Sequence, residues 1–265
     1  MTLKFAVQEN LIPGDNLIQK WDMIRPIGYL GVELRGGAGM STRLPELTSA
    51  ARAGVVMPSI CIIADRFIGD FDPARRAEAL AAMKELCDVA GEIGAKGVVT
   101  PAAYGMHSNR LPPFTAPRTI EEDRTILIDM LGQLGIHAAA RGVTVWLEPL
   151  NRYEDHMVNT LAQGTSLCRA VGLQSVKLMA DLFHMNIEEA DIGASLRAAG
   201  DLVAHVHLAD NHRVEPGLGH TDFAAAFRAL ADIGFDGYGA IECRLEQAPD
   251  VALHSAFAAL NRAQG

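Results

Sequence analysis

Apolar residues recur along this chain in short runs of strand length, separated by longer stretches in which they return every three or four positions. The runs lie near Phe5 and over Leu30 to Leu34, Val55 to Ile62, Gly97 to Thr100, Val143 to Leu147, Val176 to Ala180, Val203 to Leu208 and Gly239 to Ile241. Between them, segments such as "PARRAEALAAMKELCDVAGEIG" from Pro73 and "EEDRTILIDMLGQLGIHAAARG" from Glu121 carry the spacing of amphipathic helices. Gly94, Gly142 and Gly234 each stand just before a run, where a glycine that ends a helix belongs. Eight strand and helix alternations, undivided by a linker rich in Pro, Gly or Ser, predict an α/β chain folded as a single (β/α)8 TIM barrel, residues 1–265 forming one domain. The alternative is an open parallel sheet, but no GxGxxG follows the first strand to support it.

Composition narrows the function classes. With 265 residues and 49% hydrophobic content the chain is long enough to bury a large core. A formal charge of −9 argues against a nucleic-acid partner, since binding to phosphates relies on Lys and Arg displacing counterions. The opening "MTLKFAVQENLIPG" lacks the basic and apolar regions of a signal peptide, and no apolar run is long enough to span a membrane, so a cytoplasmic location is expected. Cys61, Cys87, Cys168 and Cys243 form no CxxC pair and read as reduced, mostly buried thiols.

The ends of the later runs carry the chemistry. In "VWLEPLNRYE", "VKLMADLFHMN", "VAHVHLADNHR" and "YGAIECRLE", an apolar stretch closes on a residue able to bind metal: Glu148, Asp181, His207 and Glu242. A carboxylate at the end of a buried strand is costly unless its charge is used. Side chains two apart share a strand face, so each residue can be set against an inward neighbour: Trp146 with Glu148, Met179 with Asp181, His205 with His207, Ala240 with Glu242. With those faces inward, the four residues meet at the C-terminal mouth of the barrel. Three carboxylates gathered there repel one another unless a divalent cation neutralises them. Three oxygens and an imidazole favour Mn²⁺, with Mg²⁺, Co²⁺ and Zn²⁺ as alternatives.

Other polar residues have simpler readings. His205 lies one layer deeper than His207 and reads as a hydrogen-bonded neighbour of the site rather than a ligand. His137, His220 and His254 read as surface or packing residues, and His107 either lines the mouth or is solvated. Asp210 reads as a loop charge and Asp222 as the cap of "DFAAAFRAL", while Glu188, Glu189 and Asp191 read as a solvated face. Cys61 and Glu9 lie within reach of the pocket but read as packing and loop residues. Gly217 and Gly219 in "EPGLGH" offer backbone amides to a phosphate, although no dedicated phosphate cradle is evident and an unphosphorylated substrate is expected.

The motifs "LEPLNRYE", "MADLFHMNIEEAD", "HVHLADNHRVEPGLGHTDF" and "AIEC" resemble the xylose isomerase-like TIM barrel family, in particular its sugar isomerase and epimerase branch typified by D-tagatose 3-epimerase and hydroxypyruvate isomerase. The resemblance is dense over residues 140–245 and one of general layout before that. It implies that Glu148, Asp181, His207 and Glu242 hold the metal, commonly Mn²⁺, and that Glu154, His184 and Arg213 contact substrate.

A ketose chelated through its carbonyl and a neighbouring hydroxyl has an acidified α-proton. Glu148 and Glu242, at opposite ends of the ligand set, are then the catalytic pair that removes and returns it. Return on the far face gives epimerisation, return to the neighbouring carbon gives aldose-ketose isomerisation, and loss of water instead gives a dehydratase of the inosose or dehydroshikimate type. An endonuclease IV-like activity on abasic DNA and a non-catalytic sugar-binding role are the remaining readings, the first disfavoured by acidic charge and the absence of further early His ligands. The expected partner is a small sugar, without nucleic acid or membrane; a homo-oligomer, dimer or tetramer, is compatible with the sequence.

Overall fold

The computed structural model describes residues 3–107 and 115–265. Eight parallel strands close on themselves in sequence order: β1 Lys4–Gln8, β2 Gly31–Gly36, β3 Ser59–Ile62, β4 Gly97–Pro101, β5 Thr144–Glu148, β6 Val176–Asp181, β7 Val203–Leu208 and β8 Tyr238–Ile241, with β8 pairing back onto β1. The helices are α1 Leu17–Ile24, α2 Leu44–Arg52, α3 Pro73–Ile93, α4 Ile120–Ala140, α5 Leu161–Val171, α6 Leu182–Glu188, α7 Ile192–Ala199, α8 Phe223–Asp232 and α9 Pro249–Gln264. The architecture is the (β/α)8 barrel expected from the apolar runs, and the open sheet is excluded by the β1–β8 pairing. Among the described residues no helix is long and apolar enough to cross a membrane.

Strand alternation divides the interior into two cores. Residues pointing outward, such as Val32, Leu34, Val145, Leu147, Leu178 and Val206, pack under the helices in the large hydrophobic layer. Residues pointing inward form a much smaller apolar plug of Cys61, Val99, Trp146 and Met179. A β-carbon at Gly97 on β4 would stand 2.4 Å from the Trp146 ring, so glycine there makes room for the indole of the neighbouring strand β5. Above this plug the inward positions turn polar, which prepares the mouth for chemistry rather than for packing.

Helix starts fix the loops around that mouth. Thr119 and Glu122 form a reciprocal capping box at α4, and Thr160 and Gln163 do the same at α5. Gly94 ends α3 in a left-handed conformation at φ 76°, and Asp222 caps α8 by accepting from the Ala225 amide, both as the sequence suggests. Along β7 the register slips: Leu178 pairs with Val203 but Met179 pairs with His205, leaving Ala204 as an extra residue. This bulge sets His205 and His207 on the inward face opposite Met179 and Asp181.

Candidate active site

Glu148, Asp181 and His207 end or nearly end β5, β6 and β7, and Glu242 directly follows β8. One ligand atom from each lies within 4.8 Å of the others, three of the residues being buried and Glu242 partly so. His207 Nδ1 stands 2.9 Å from Glu242 Oε2, 3.8 Å from Glu148 Oε1 and 3.9 Å from Asp181 Oδ2. Asp181 divides its two oxygens between tasks. Oδ1 caps α6 by accepting from the amides of Phe183 and His184, and Oδ2 faces the cluster.

The three residues expected at the substrate lie beside this group. His184 Nε2 is 3.7 Å from Asp181, 3.9 Å from Glu148 and 4.0 Å from Glu154. Both the backbone and side-chain nitrogens of Asn151 approach His184 Nδ1, at 3.1 and 2.8 Å. Those donors make Nδ1 the acceptor, so the ring proton sits on Nε2 and points into the site. Arg213 bridges Asp181 and Glu242 with its two terminal nitrogens and lies 4.7 Å above the Phe183 ring. Its backbone has φ 62°, the left-handed region a non-glycine residue avoids, and is held there by its N–H donating to Asp210 O and its carbonyl accepting from Arg244 N.

Charge explains the protonation of the cluster. Burial raises the Glu148 pKa to about 7, with Glu242 and Asp181 adding to the rise against the opposing effect of His207. Burial also disfavours the charged forms of Asp181 and Glu242, but Arg213 and histidine neighbours outweigh it and hold both below the ordinary carboxylate range. For His207, burial opposes the cation, yet Glu33 and Glu242 raise its pKa well above the usual imidazole value.

Glu33, on β2, is fully buried and ties the deeper layer together. Its oxygens lie 2.8 Å from His207 Nε2 and 2.6 Å from His205 Nε2, and accept from Ser59 Oγ at 2.6 Å and Gln8 Nε2 at 3.1 Å. Gln8 Nε2 also reaches Glu242 Oε1 at 2.9 Å. With Nε2 committed to Glu33, the buried Nδ1 of His207 lacks a well-aligned hydrogen-bond partner and aims its remaining ring nitrogen at three carboxylates. An imidazole anchored by a carboxylate and a set of acidic oxygens not fully balanced by Arg213 fit a divalent cation. The mouth opens into a cavity of about 340 Å³ lined by Glu148, Glu154, His184, Arg213, Glu242, Arg35 and Cys61 among others.

A model of the xylose isomerase-like TIM barrel matches residues 22–261. The chain belongs to the xylose isomerase-like TIM barrel family. Within that family it is 38% identical over 244 residues to 3-dehydro-D-guloside 4-epimerase of Escherichia coli (strain K12), covering 92% of this chain and 93% of the relative. A crystal structure of 3-keto-D-glucoside 4-epimerase from E. coli, in apo form, superposes with a TM-score of 0.92 at 36% identity, covering 98% of this chain and all of the other. L-ribulose 3-epimerase of Mesorhizobium japonicum is 31% identical over 199 residues, 74% of this chain and 63% of the relative. These relatives are sugar epimerases, an isomerase class of enzyme.

Against the family barrel, several simpler sequence readings need correction. Asp210 is no loose loop charge: it is buried and accepts from the amides of Asn211, Gly217, Gly219 and Thr221. The Gly217 and Gly219 amides are therefore committed to Asp210. The Glu188, Glu189 and Asp191 run is not a free solvated face, because Glu188 pairs with Arg152 at 2.8 Å, Glu189 accepts from Leu161 N and Ser195 Oγ, and Asp191 caps α7. Glu9 is held by Arg43, while Cys61 does line the cavity. His107 packs near Phe71 and His156, and His205 stacks on Trp146 with ring centres 4.8 Å apart. Glu33, Gln8 and Asn151 escaped sequence reading. Only Glu33 left a signal, a lone acid inside the apolar run "YLGVELRGG".

Proposed function

We propose that the protein epimerises a keto sugar at the carbon next to its ketone, Glu148 and Glu242 acting as the two bases. The observation that carries this reading is the placement of two carboxylates on β5 and after β8, at the ends of a four-residue cluster flanked by His184 and Arg213. The named reactions of the relatives support it. Epimerisation at C4 beside a 3-ketone and at C3 beside a 2-ketone both change the configuration of a carbon α to a carbonyl.

A divalent cation held by Glu148, Asp181, His207 and Glu242, Mn²⁺ foremost and Mg²⁺, Co²⁺ or Zn²⁺ as alternatives, would withdraw charge from the ketone oxygen and acidify the adjacent C–H bond. One glutamate accepts the α-proton and the other donates a proton to the opposite face of the planar carbon, which inverts its configuration. His184 donates from Nε2 to a substrate oxygen, a role set by the Asn151 bonds to its other nitrogen. Arg213 offers its guanidinium to developing negative charge, and Glu154 holds a hydroxyl at the half-exposed side of the site. This reading retains the small-sugar partner and cytoplasmic location expected from the sequence.

Incubating metal-loaded protein with 3-keto glycosides and 2-ketoses in D₂O tests the proposal. Inverted product carrying one solvent deuterium at the α-carbon is expected. An aldose product would transfer the reaction to the isomerase reading, and an eliminated product to the dehydratase.

A further inference from the structure

Arg35 stands two residues beyond Glu33 on β2 and therefore shares its inward face, one layer nearer the mouth. There it lines the cavity beside Ile62, Ile63 and Phe67. Neighbouring charges on this wall are matched. Glu9 binds Arg43 at 2.9 Å and also accepts the Arg35 backbone N–H at 2.7 Å, while the Arg35 carbonyl takes a further bond from Arg43 at 3.3 Å. Across the cavity, Arg213 is shared between Asp181 and Glu242. Among the described residues the Arg35 guanidinium has no hydrogen bond, ion pair or stacked ring, although its backbone is held on both sides.

A guanidinium stays charged at any working pH, and its planar fork matches carboxylate or phosphate oxygens in pairs. Apolar neighbours reduce the screening that would make such a charge indifferent to its ligand. β2 lies opposite β6 but only two strands from β8 in the eight-stranded ring, so Arg35 borders the cluster's cavity on the side away from Asp181. The shared cavity leaves room for a sugar whose ketone lies near Asp181 to extend its other end to Arg35. We propose that Arg35 is a specificity-determining residue that binds an anionic oxygen group at the end of the substrate remote from the reacting carbon. The inference rests on the keto-sugar reading and names the substrate class as a keto sugar bearing a distal carboxylate or phosphate.

The test compares three ketohexoses of the same configuration: the neutral sugar, its C6 carboxylate and its C6 phosphate. Solvent deuterium uptake at the α-carbon is followed by NMR for Mn²⁺-loaded wild type, Arg35→Gln and Arg35→Lys. In the wild type, kcat/KM should favour one anionic sugar over the neutral one by about 10- to 100-fold, the span of a charged hydrogen-bonded contact. Preference for carboxylate identifies a sugar acid, and preference for phosphate a sugar phosphate. Arg35→Gln should collapse that ratio chiefly through KM, and Arg35→Lys should retain part of it, because a point charge replaces the fork. Using the ratio within each variant cancels any general loss of folded protein. Equal wild-type rates on neutral and anionic sugars, or a ratio unchanged in Arg35→Gln, would overturn the Arg35 assignment and leave the epimerase reading standing. Absence of exchange with all three and with 3-keto glycosides, metal being bound, would overturn both.

Discussion

His207 shows how a single side chain is prepared for its position. One ring nitrogen is anchored to Glu33 at 2.8 Å and the other is turned toward Glu148, Asp181 and Glu242. Anchoring fixes the tautomer and orientation of a metal-binding imidazole, and losing such an anchor weakens metal affinity by about 10- to 100-fold. Glu33→Gln is therefore expected to weaken Mn²⁺ binding by that factor in isothermal titration. Unchanged affinity would remove Glu33 from this role. At this scale the sequence was legible wherever a polar residue closed an apolar run, which is why Glu148, Asp181, His207 and Glu242 stand out. Glu33 did not stand out because its burial depends on His205 and His207, more than 170 positions away. Asn151 was hidden for a different reason. A polar residue after Pro149 looks like ordinary loop until the fold brings His184 against it.

Between single residues and the barrel lie the strand ends and loops that aim the site. The Ala204 bulge in β7 was invisible to period-two reading, since it inserts a residue without interrupting the apolar run. After β7, Asp210 gathers four backbone amides and so shapes the turn that holds Arg213 at positive φ. Burial opposes the Asp210 charge, but those amides hold its pKa below the ordinary value. A depressed carboxylate contributes stability above its unfolded pKa of about 3.9 and loses it as pH falls through the folded value. Asp210→Asn should thus cost about 2 kcal/mol near neutral pH, and the deficit should shrink as pH falls from the unfolded value of about 3.9 toward the lower folded value, where the native carboxylate is protonated too. Urea unfolding at pH 7 and pH 3 checks this. A deficit independent of pH would show that shape rather than charge organises the turn. Capping was more legible than this loop, because Asp222 announces itself by adjacency to its helix.

For the whole molecule, eight apolar runs implied eight strands, and the interleaved helices implied a parallel barrel. The closed order and both cores follow from alternation around that ring. Sequence could not supply the register that brings Asp181 opposite His207, because pairing is a property of two strands and the bulge between them. The acidic cluster couples this architecture to cation binding. At a free-metal concentration about 100 times Kd, binding adds about 2.7 kcal/mol, which for a barrel of this size raises Tm by roughly 5 to 10 °C. Chelation should reverse that shift in calorimetry. A Tm insensitive to Mn²⁺, Mg²⁺, Co²⁺ and Zn²⁺ would mean that Arg213 and His207 alone balance the carboxylates.

Glu148 and Glu242 transfer protons on opposite faces of one carbon, and inversion accompanied by solvent deuterium uptake reads that pairing most directly. Wild type, Glu148→Gln and Glu242→Gln, each with metal occupancy measured, are incubated with a keto sugar in D₂O and followed by proton NMR. The wild type should form inverted product carrying deuterium at the carbon beside the ketone, and each variant should lose at least about 100-fold in the rate of inversion, the lower range of general acid-base catalysis, while the remaining glutamate can still exchange the proton on its own face. Inversion persisting at the wild-type rate in a metal-bound Glu148→Gln or Glu242→Gln protein would contradict a two-glutamate mechanism.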